Sequence, residues 1–229
     1  MHQFRSIALL ALALLSGCGG GGPDSGACAF APSNCVDSQG GAPGAGTGSS
    51  TPFSRSGVGD TAFVLPASVS IIRVQAQLDG TSSNFIVRAG SDLVVNTIVG
   101  TGATPQTHDG TYVVTAGSPL TISNANGVNW TINSSSAQSP PASGLFSKSG
   151  SGDQVFDLPS RSGRYRVTGA FPGTSSNFIV YVSGSLAINS IIGSSQSPTT
   201  FDGVYTLPIN GRVETRNSSG VSWSFVELP

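Results

Sequence analysis

Charge is scarce in this 229-residue chain. Ten Lys and Arg face eleven Asp and Glu, giving a charged fraction of 9% and a net charge of −1. So few cations, among them a single lysine, Lys148, exclude the basic footprint that nucleic acid or an anionic membrane face requires. Long apolar runs are missing too. The longest, Ile7 to Leu15, falls well short of the roughly 20 residues a helix needs to cross a bilayer. Histidine is confined to His2 and His108, and no serine stands in a Gly-x-Ser-x-Gly turn followed by Asp and His. The chain reads as a non-enzyme with no cofactor.

What is present begins at the N-terminus. Arg5, the apolar run and a small-residue cleavage site make a signal peptide over residues 1–17. Leu15-Ser16-Gly17-Cys18 resembles the lipobox of bacterial lipoproteins. The resemblance covers only this segment and implies cleavage before Cys18 and acylation of its thiol. Each buried acyl CH₂ then adds about 0.8 kcal/mol of membrane retention. Gly19 follows the cysteine where the family's inner-membrane retention signal would place Asp, so an outer-membrane lipoprotein of the cell envelope is expected.

Residues 18–52 are rich in Gly, Ser, Ala and Pro and read as a disordered tether, with a span on the order of 30 Å. Cys28 and Cys35 lie close together within it, and in an exported chain they are expected to close a small disulfide loop. A two-cysteine metal site would have only Asp24 and Asp37 nearby to complete it.

Beyond the tether the sequence repeats. Ser54–Asn133 aligns without a gap on Ser147–Val226 at a constant offset of 93 residues, and Gly80-Thr81-Ser82-Ser83-Asn84-Phe85-Ile86-Val87 recurs unchanged from Gly173 to Val180. A gapless match of this length means duplication of a whole domain. Copy 1 is assigned to residues 53–133, a Ser- and Pro-rich linker to 134–145, and copy 2 to 146–229.

Within a copy, apolar alternation and short turn-separated runs predict strands near 61–65, 70–78, 84–89, 92–99, 111–115, 120–123 and 128–132. In the second of these, Ile72, Val74, Ala76 and Leu78 form a core face, and Ile71, Arg73, Gln75 and Gln77 the opposite one. The fold class is all-β: two tandem small antiparallel sandwiches, with a small β-barrel as the alternative.

Candidate sites compete with structural roles. Trp130 and Trp223 share a face with apolar neighbours and are assigned to the core. Asp60 and Asp153 in Gly-x-Gly-Asp, and Asp109 and Asp202 in Asp-Gly, read as turn residues, with structural calcium as the weaker alternative. Arg73 and Arg166 sit at matching positions on the non-core face and invite a carboxylate or glycan. Asn84 and Asn177 end the identical loops, and Arg88 corresponds to Tyr181. His108 is replaced by Phe201 in copy 2, so it is no shared acid or base.

Two functions follow. The first is a membrane-anchored pair of non-catalytic binding modules for a polysaccharide or another envelope polymer, with avidity from duplication. The second is a structural or adhesive surface protein whose sandwiches act as spacers or self-associate through strand edges.

Overall fold

A computed structural model of the chain describes residues 52–78, 84–98, 106–161, 163–171, 177–191, 199–218 and 220–229. Cys18, Cys28 and Cys35, the tether, and the repeated Gly-Thr-Ser-Ser stretches at 80–83 and 173–176 lie outside the described residues.

The described residues form strands and connecting turns without a helix. Copy 1 supplies β1 (Ser54–Val58), β2 (Thr61–Val64), β3 (Ile71–Leu78), β4 (Asn84–Ala89), β5 (Asp92–Ile98), β6 (Gln106–Val113), β7 (Pro119–Ser123) and β8 (Asn129–Ser134). Copy 2 repeats them as β9 (Ser147–Ser151), β10 (Val155–Asp157), β11 (Gly163–Phe171), β12 (Asn177–Val182), β13 (Ser185–Ile191), β14 (Thr199–Leu207), β15 (Arg212–Arg216) and β16 (Ser222–Leu228). Each copy makes two open four-stranded antiparallel sheets. In copy 1 their orders are β1-β8-β3-β6 and β2-β7-β4-β5; in copy 2, β14-β11-β16-β9 and β10-β15-β12-β13. These are tandem β-sandwiches, and neither closes into a barrel.

The period-2 pattern decides which side of each strand is dry. Ile72, Val74, Ala76 and Leu78 of β3 face Phe85, Val87 and Ala89 of β4, Leu120 and Ile122 of β7, and Trp130 and Ile132 of β8 in a single core. Copy 2 builds its own core around Tyr165, Val167, Phe171, Phe178, Val180, Trp223 and Phe225. Trp130 and Trp223 are 4% and 3% exposed, and each indole N–H donates at 2.9 Å to a glycine carbonyl, Gly59 or Gly152. That satisfies the one polar atom a buried Trp carries.

Three expectations need correction. First, each copy has an extra leading strand, β1 or β9, whose Ser- and Gly-rich sequence has little strand propensity. It forms because it completes the ladder beside β8 or β16, and because Gly57 and Gly150 leave room for the tryptophan rings. A Cβ on Gly57 would lie 2.6 Å from Trp130 Cζ2. Second, Asp109-Gly110 is not a turn. It lies inside β6, which begins at Gln106 instead of near Thr111, and Gly110 is needed because the Tyr112 ring lies where its Cβ would stand; Asp202-Gly203 repeats this inside β14. Third, Ile71 is buried, not exposed, at the point where the chain leaving β8 donates from Ser135 N to the Ile71 carbonyl.

The segment after β8 is also tied down. Gln138 N donates to the Val155 carbonyl and Asp157 N to the Gln138 carbonyl, a short parallel bridge along β10.

Candidate functional site

The candidate residues fall in three places. Arg73 projects from the outer face of β3, and its Nε and Nη2 reach Asp109 Oδ1 and Oδ2 at 2.8 and 2.6 Å. Arg166 of β11 makes the same fork onto Asp202, at 2.9 and 2.5 Å. Each guanidinium is thus paired within its own sheet, by a carboxylate on the neighbouring strand two residues off the directly opposed pair. These hydrogen bonds hold both carboxyls below their ordinary range and both guanidiniums above theirs.

Asn84 and Arg88 lie on β4, in the other sheet of the sandwich, and alternate with the buried Phe85, Val87 and Ala89. They therefore face outward on the side opposite Arg73, and no single site can hold all three. Asn84 Nδ2 donates to Asn96 Oδ1 at 3.3 Å; Asn177 opens β12 at the equivalent position. Both ladders carry a β-bulge just before the Arg88/Tyr181 position, a device that re-aims a side chain. Tyr181 lies under the Arg216 guanidinium, 5.2 Å from ring centroid to Cζ.

Asp60 and Asp153 are built into their turns. Asp60 Oδ1 accepts from Ala125 N and Asp153 Oδ1 from Ser218 N, both at 2.7 Å. Asp109 and Asp202 are committed to arginines. Among the described residues no three His, Cys, Asp or Glu side chains gather as a metal site.

Two features escaped the sequence reading. The first is a shallow groove of about 640 Å³ across the outer face of β1-β8-β3-β6, lined by Ser56, Gln75, Gln77, Thr107, Asp109, Asn129 and Thr131 among others. Copy 2 has Ser149, Thr168, Ala170, Thr200, Asp202, Ser222 and Ser224 at these positions, so the amides are particular to copy 1. Strand alternation could have pointed to it, because Gln75, Gln77, Asn129 and Thr131 all sit opposite core residues.

The second is the joint between the copies. Edge strand β6 donates from Thr111 N to the Asp153 carbonyl and from Val113 N to Glu214 Oε1, each at 2.9 Å. A chain of hydrogen bonds crosses the same seam. Tyr112 O–H donates to Asp153 Oδ2 at 2.6 Å. Its oxygen then accepts from His108 Nε2 at 2.9 Å, which leaves Nδ1 to accept from Thr97 Oγ1 at 3.1 Å. Burial keeps His108 below the usual histidine range, against the opposing pull of Asp153 and Asp109. Burial, reinforced by the Asp153 carboxylate, pushes the Tyr112 phenol well up. Glu214 is raised by burial, while its partner Arg216, at 3.1 Å, pulls it back. No pattern around His108 announced this, since copy 2 has Phe201 there.

No family model matches the chain, and no curated protein matches its sequence. Among solved structures, similarity is found to the M60 catalytic domain with two CBM51 domains of Clostridium perfringens ZmpB, at 10% identity and a TM-score of 0.28. That match covers 73% of this chain and 33% of the other, so the chain spans about a third of that protein's length. A complex of the plant peptide RALF23 with FER and LLG2 is similar at 11% identity and TM-score 0.27, covering 77% and 83%. The major capsid protein P2 of bacteriophage PM2 follows at 9% identity and TM-score 0.23, covering 77% and 96%. At these scores the likenesses assign neither function nor ligand.

Proposed function

We propose that this chain is an outer-membrane lipoprotein, anchored through Cys18, that presents a non-catalytic polysaccharide-binding sandwich on a tether. The lipobox Leu15-Ser16-Gly17-Cys18 supports the anchor. The observation that carries the binding function is the groove on copy 1. Gln75, Gln77 and Asn129 each offer an amide donor and an amide acceptor on one open face, with Thr107, Thr131 and Asp109 beside them. Neighbouring sugar hydroxyls present the same mixture of donors and acceptors, and planar amides engage them in pairs. The groove crosses all four strands of the sheet and is open, so a chain can run through it without presenting an end. Of the groove residues named, only Asp109 is charged, and Arg73 pairs it, which favours a neutral polymer over a polyanion.

The duplication does not extend to this surface. Thr168, Ala170, Ser222 and Ser224 stand in copy 2 where copy 1 has the long side chains, which supports copy 1 as the binding copy with copy 2 as its support. The test is titration of the Gly48–Pro229 unit against a panel of neutral and charged polysaccharides. Gln77→Ala and Asn129→Ala are each expected to weaken binding roughly tenfold, the scale of one lost net hydrogen bond. A folded protein that binds none of the panel refutes the reading. For the anchor, Cys18→Ser should abolish fatty-acid labelling and release the protein from the membrane fraction.

The second reading, self-association through strand edges, is favoured by the joint between the copies.

A further inference from the structure

The joint within the chain is heterologous: the edge of β6 in copy 1 meets the Gly152-Asp153 turn of copy 2. Duplication means that each half also exists once more, unused. The edge recurs as β14 in copy 2, and the turn recurs as Gly59-Asp60 in copy 1.

Both unused halves are already formed. On the edge side, β14 pairs with β11 in the register that β6 makes with β3, shifted by the repeat. That register turns the N–H groups of Val204 and Thr206 outward, where Thr111 and Val113 donate across the joint. Tyr205 rests over Gly203 as Tyr112 rests over Gly110 and stacks on Phe201 at 6.1 Å, as Tyr112 does on His108. Among the described residues no group bonds the Tyr205 hydroxyl, which is half-buried where Tyr112 is fully buried. On the turn side, Gly59 and Gly152 have φ of 78° and 67°, both accept a tryptophan N–H, and both aspartates spend Oδ1 on a backbone N–H. Asp153 Oδ2 is bonded to the Tyr112 hydroxyl, whereas no tyrosine hydroxyl among the described residues bonds Asp60. A Cβ on Gly152 would be 3.8 Å from the Asp109 carbonyl, whereas one on Gly59 would meet nothing.

We infer that a second copy of this chain docks its Gly59-Asp60 turn on the β14 edge, with Tyr205 O–H donating to Asp60 Oδ2 and Val204 N to the Asp60 carbonyl. The polar support differs from that of the internal joint. Thr121 and Ser123 stand in copy 1 where Glu214 and Arg216 stand in copy 2. In exchange, two exposed apolar residues flank the contact. Val204, 51% exposed, replaces Thr111, and Val58, 64% exposed, replaces Ser151. An unpaired edge with an apolar residue on it is a template for association. The interface is head-to-tail, so it propagates as an open filament or a ring and does not stop at a dimer. This assembly stands apart from the polysaccharide reading and holds whether or not a glycan binds.

Sedimentation of the Gly48–Pro229 unit, the compact unit that contains both cores, tests it. The wild type should grow in size with concentration beyond a dimer. Asp60→Asn keeps the Oδ1 bond to Ala125 N and removes the Oδ2 acceptor; Tyr205→Phe removes the donor. Each should weaken association roughly tenfold to a hundredfold, the range for a hydrogen bond to a charged group. Val204→Pro, which deletes an outward N–H and no ladder bond, should do so without either side chain being touched. An equimolar mixture of Asp60→Asn and Tyr205→Phe chains retains one good joint and should form a dimer that grows no further. A wild type that stays monomeric overturns the inference, as does association that survives all three variants or a mixture that behaves as its components alone. Circular dichroism of each variant identifies any loss through misfolding, and a folded, still-associating Val204→Pro is by itself contrary.

Discussion

The same substitution at two equivalent tyrosines should have two different costs. Tyr112→Phe removes a fully buried hydroxyl that donates to the Asp153 carboxylate at 2.6 Å and accepts from His108 at 2.9 Å. The bond to a charged group contributes about 1.5–3 kcal/mol, and leaving the His108 donor unpaired costs about 1–3 more. Asp153 is half-exposed and water can partly replace its lost partner, which puts the net loss at about 2–4 kcal/mol. Tyr205→Phe removes a hydroxyl with no partner among the described residues and should stay within about 0.5 kcal/mol, as surface substitutions do. Urea unfolding of the Gly48–Pro229 unit, at protein concentrations low enough to suppress association, measures both. The Tyr112→Phe midpoint should fall with an unchanged m-value. Equal effects at the two positions, or a Tyr112→Phe cost below about 0.5 kcal/mol, would refute the hydrogen-bond chain as the tie between the copies.

Two further outcomes follow from packing and titration. Burial depresses the His108 pKa, so the native state favours the neutral ring; its stabilising effect is present above the unfolded value of about 6.5 and is lost as pH falls through the folded value. Melting temperature should fall as pH is lowered from about 6.5 through the folded value and level off below it, and His108→Phe, the residue copy 2 carries, should flatten this part of the profile. Gly57→Ala places a methyl 2.6 Å from Trp130 Cζ2, and the ring is pinned by its N–H bond to Gly59. The cost should be about 1–3 kcal/mol, read as a lower melting temperature, and an unchanged melt would mean that the ring moves freely.

Alternation along β3, β4, β7 and β8 was enough to read the sandwich, because each strand has one dry and one wet face and a one-residue slip would reverse them. It failed where a strand is held by its neighbour and not by its own pattern. Ser54–Val58 has no apolar face to read, yet the Ser-x-Ser-Gly that opens both copies was a usable sign, since the glycine must lie under the tryptophan. Asp109-Gly110 carries the residues of a turn, and only the Arg73 fork and the Tyr112 ring explain why it stays extended. From sequence Arg73 and Arg166 invite a carboxylate or glycan ligand; that each is forked by an aspartate of its own sheet depends on which strand lies beside β3 or β11, a long-range fact. The groove needed the strand order β1-β8-β3-β6 before its amides could be seen as one surface.

The places where the copies differ say more about function than the places where they agree. Substitutions in the cores keep the apolar faces, as with Ile72 and Tyr165 or Ile132 and Phe225. Around the joint the differences are of another kind. His108, Glu214 and Arg216 lie at the internal seam, and Phe201, Thr121 and Ser123 hold the same places at the two free ends. Ionisable and polar groups are thus concentrated where the linker holds the partners together at high effective concentration. The free ends keep the aspartate turn and the tyrosine edge, the two parts that fit each other, and surround them with Val58 and Val204. The one charge on the open edge, Asp202 of β14, is paired to Arg166, and beside it β14 exposes the apolar Val204, where an edge meant only to stay soluble would carry unpaired charge. The duplication therefore serves the two surfaces differently, with the amide groove on copy 1 and the open edge on copy 2.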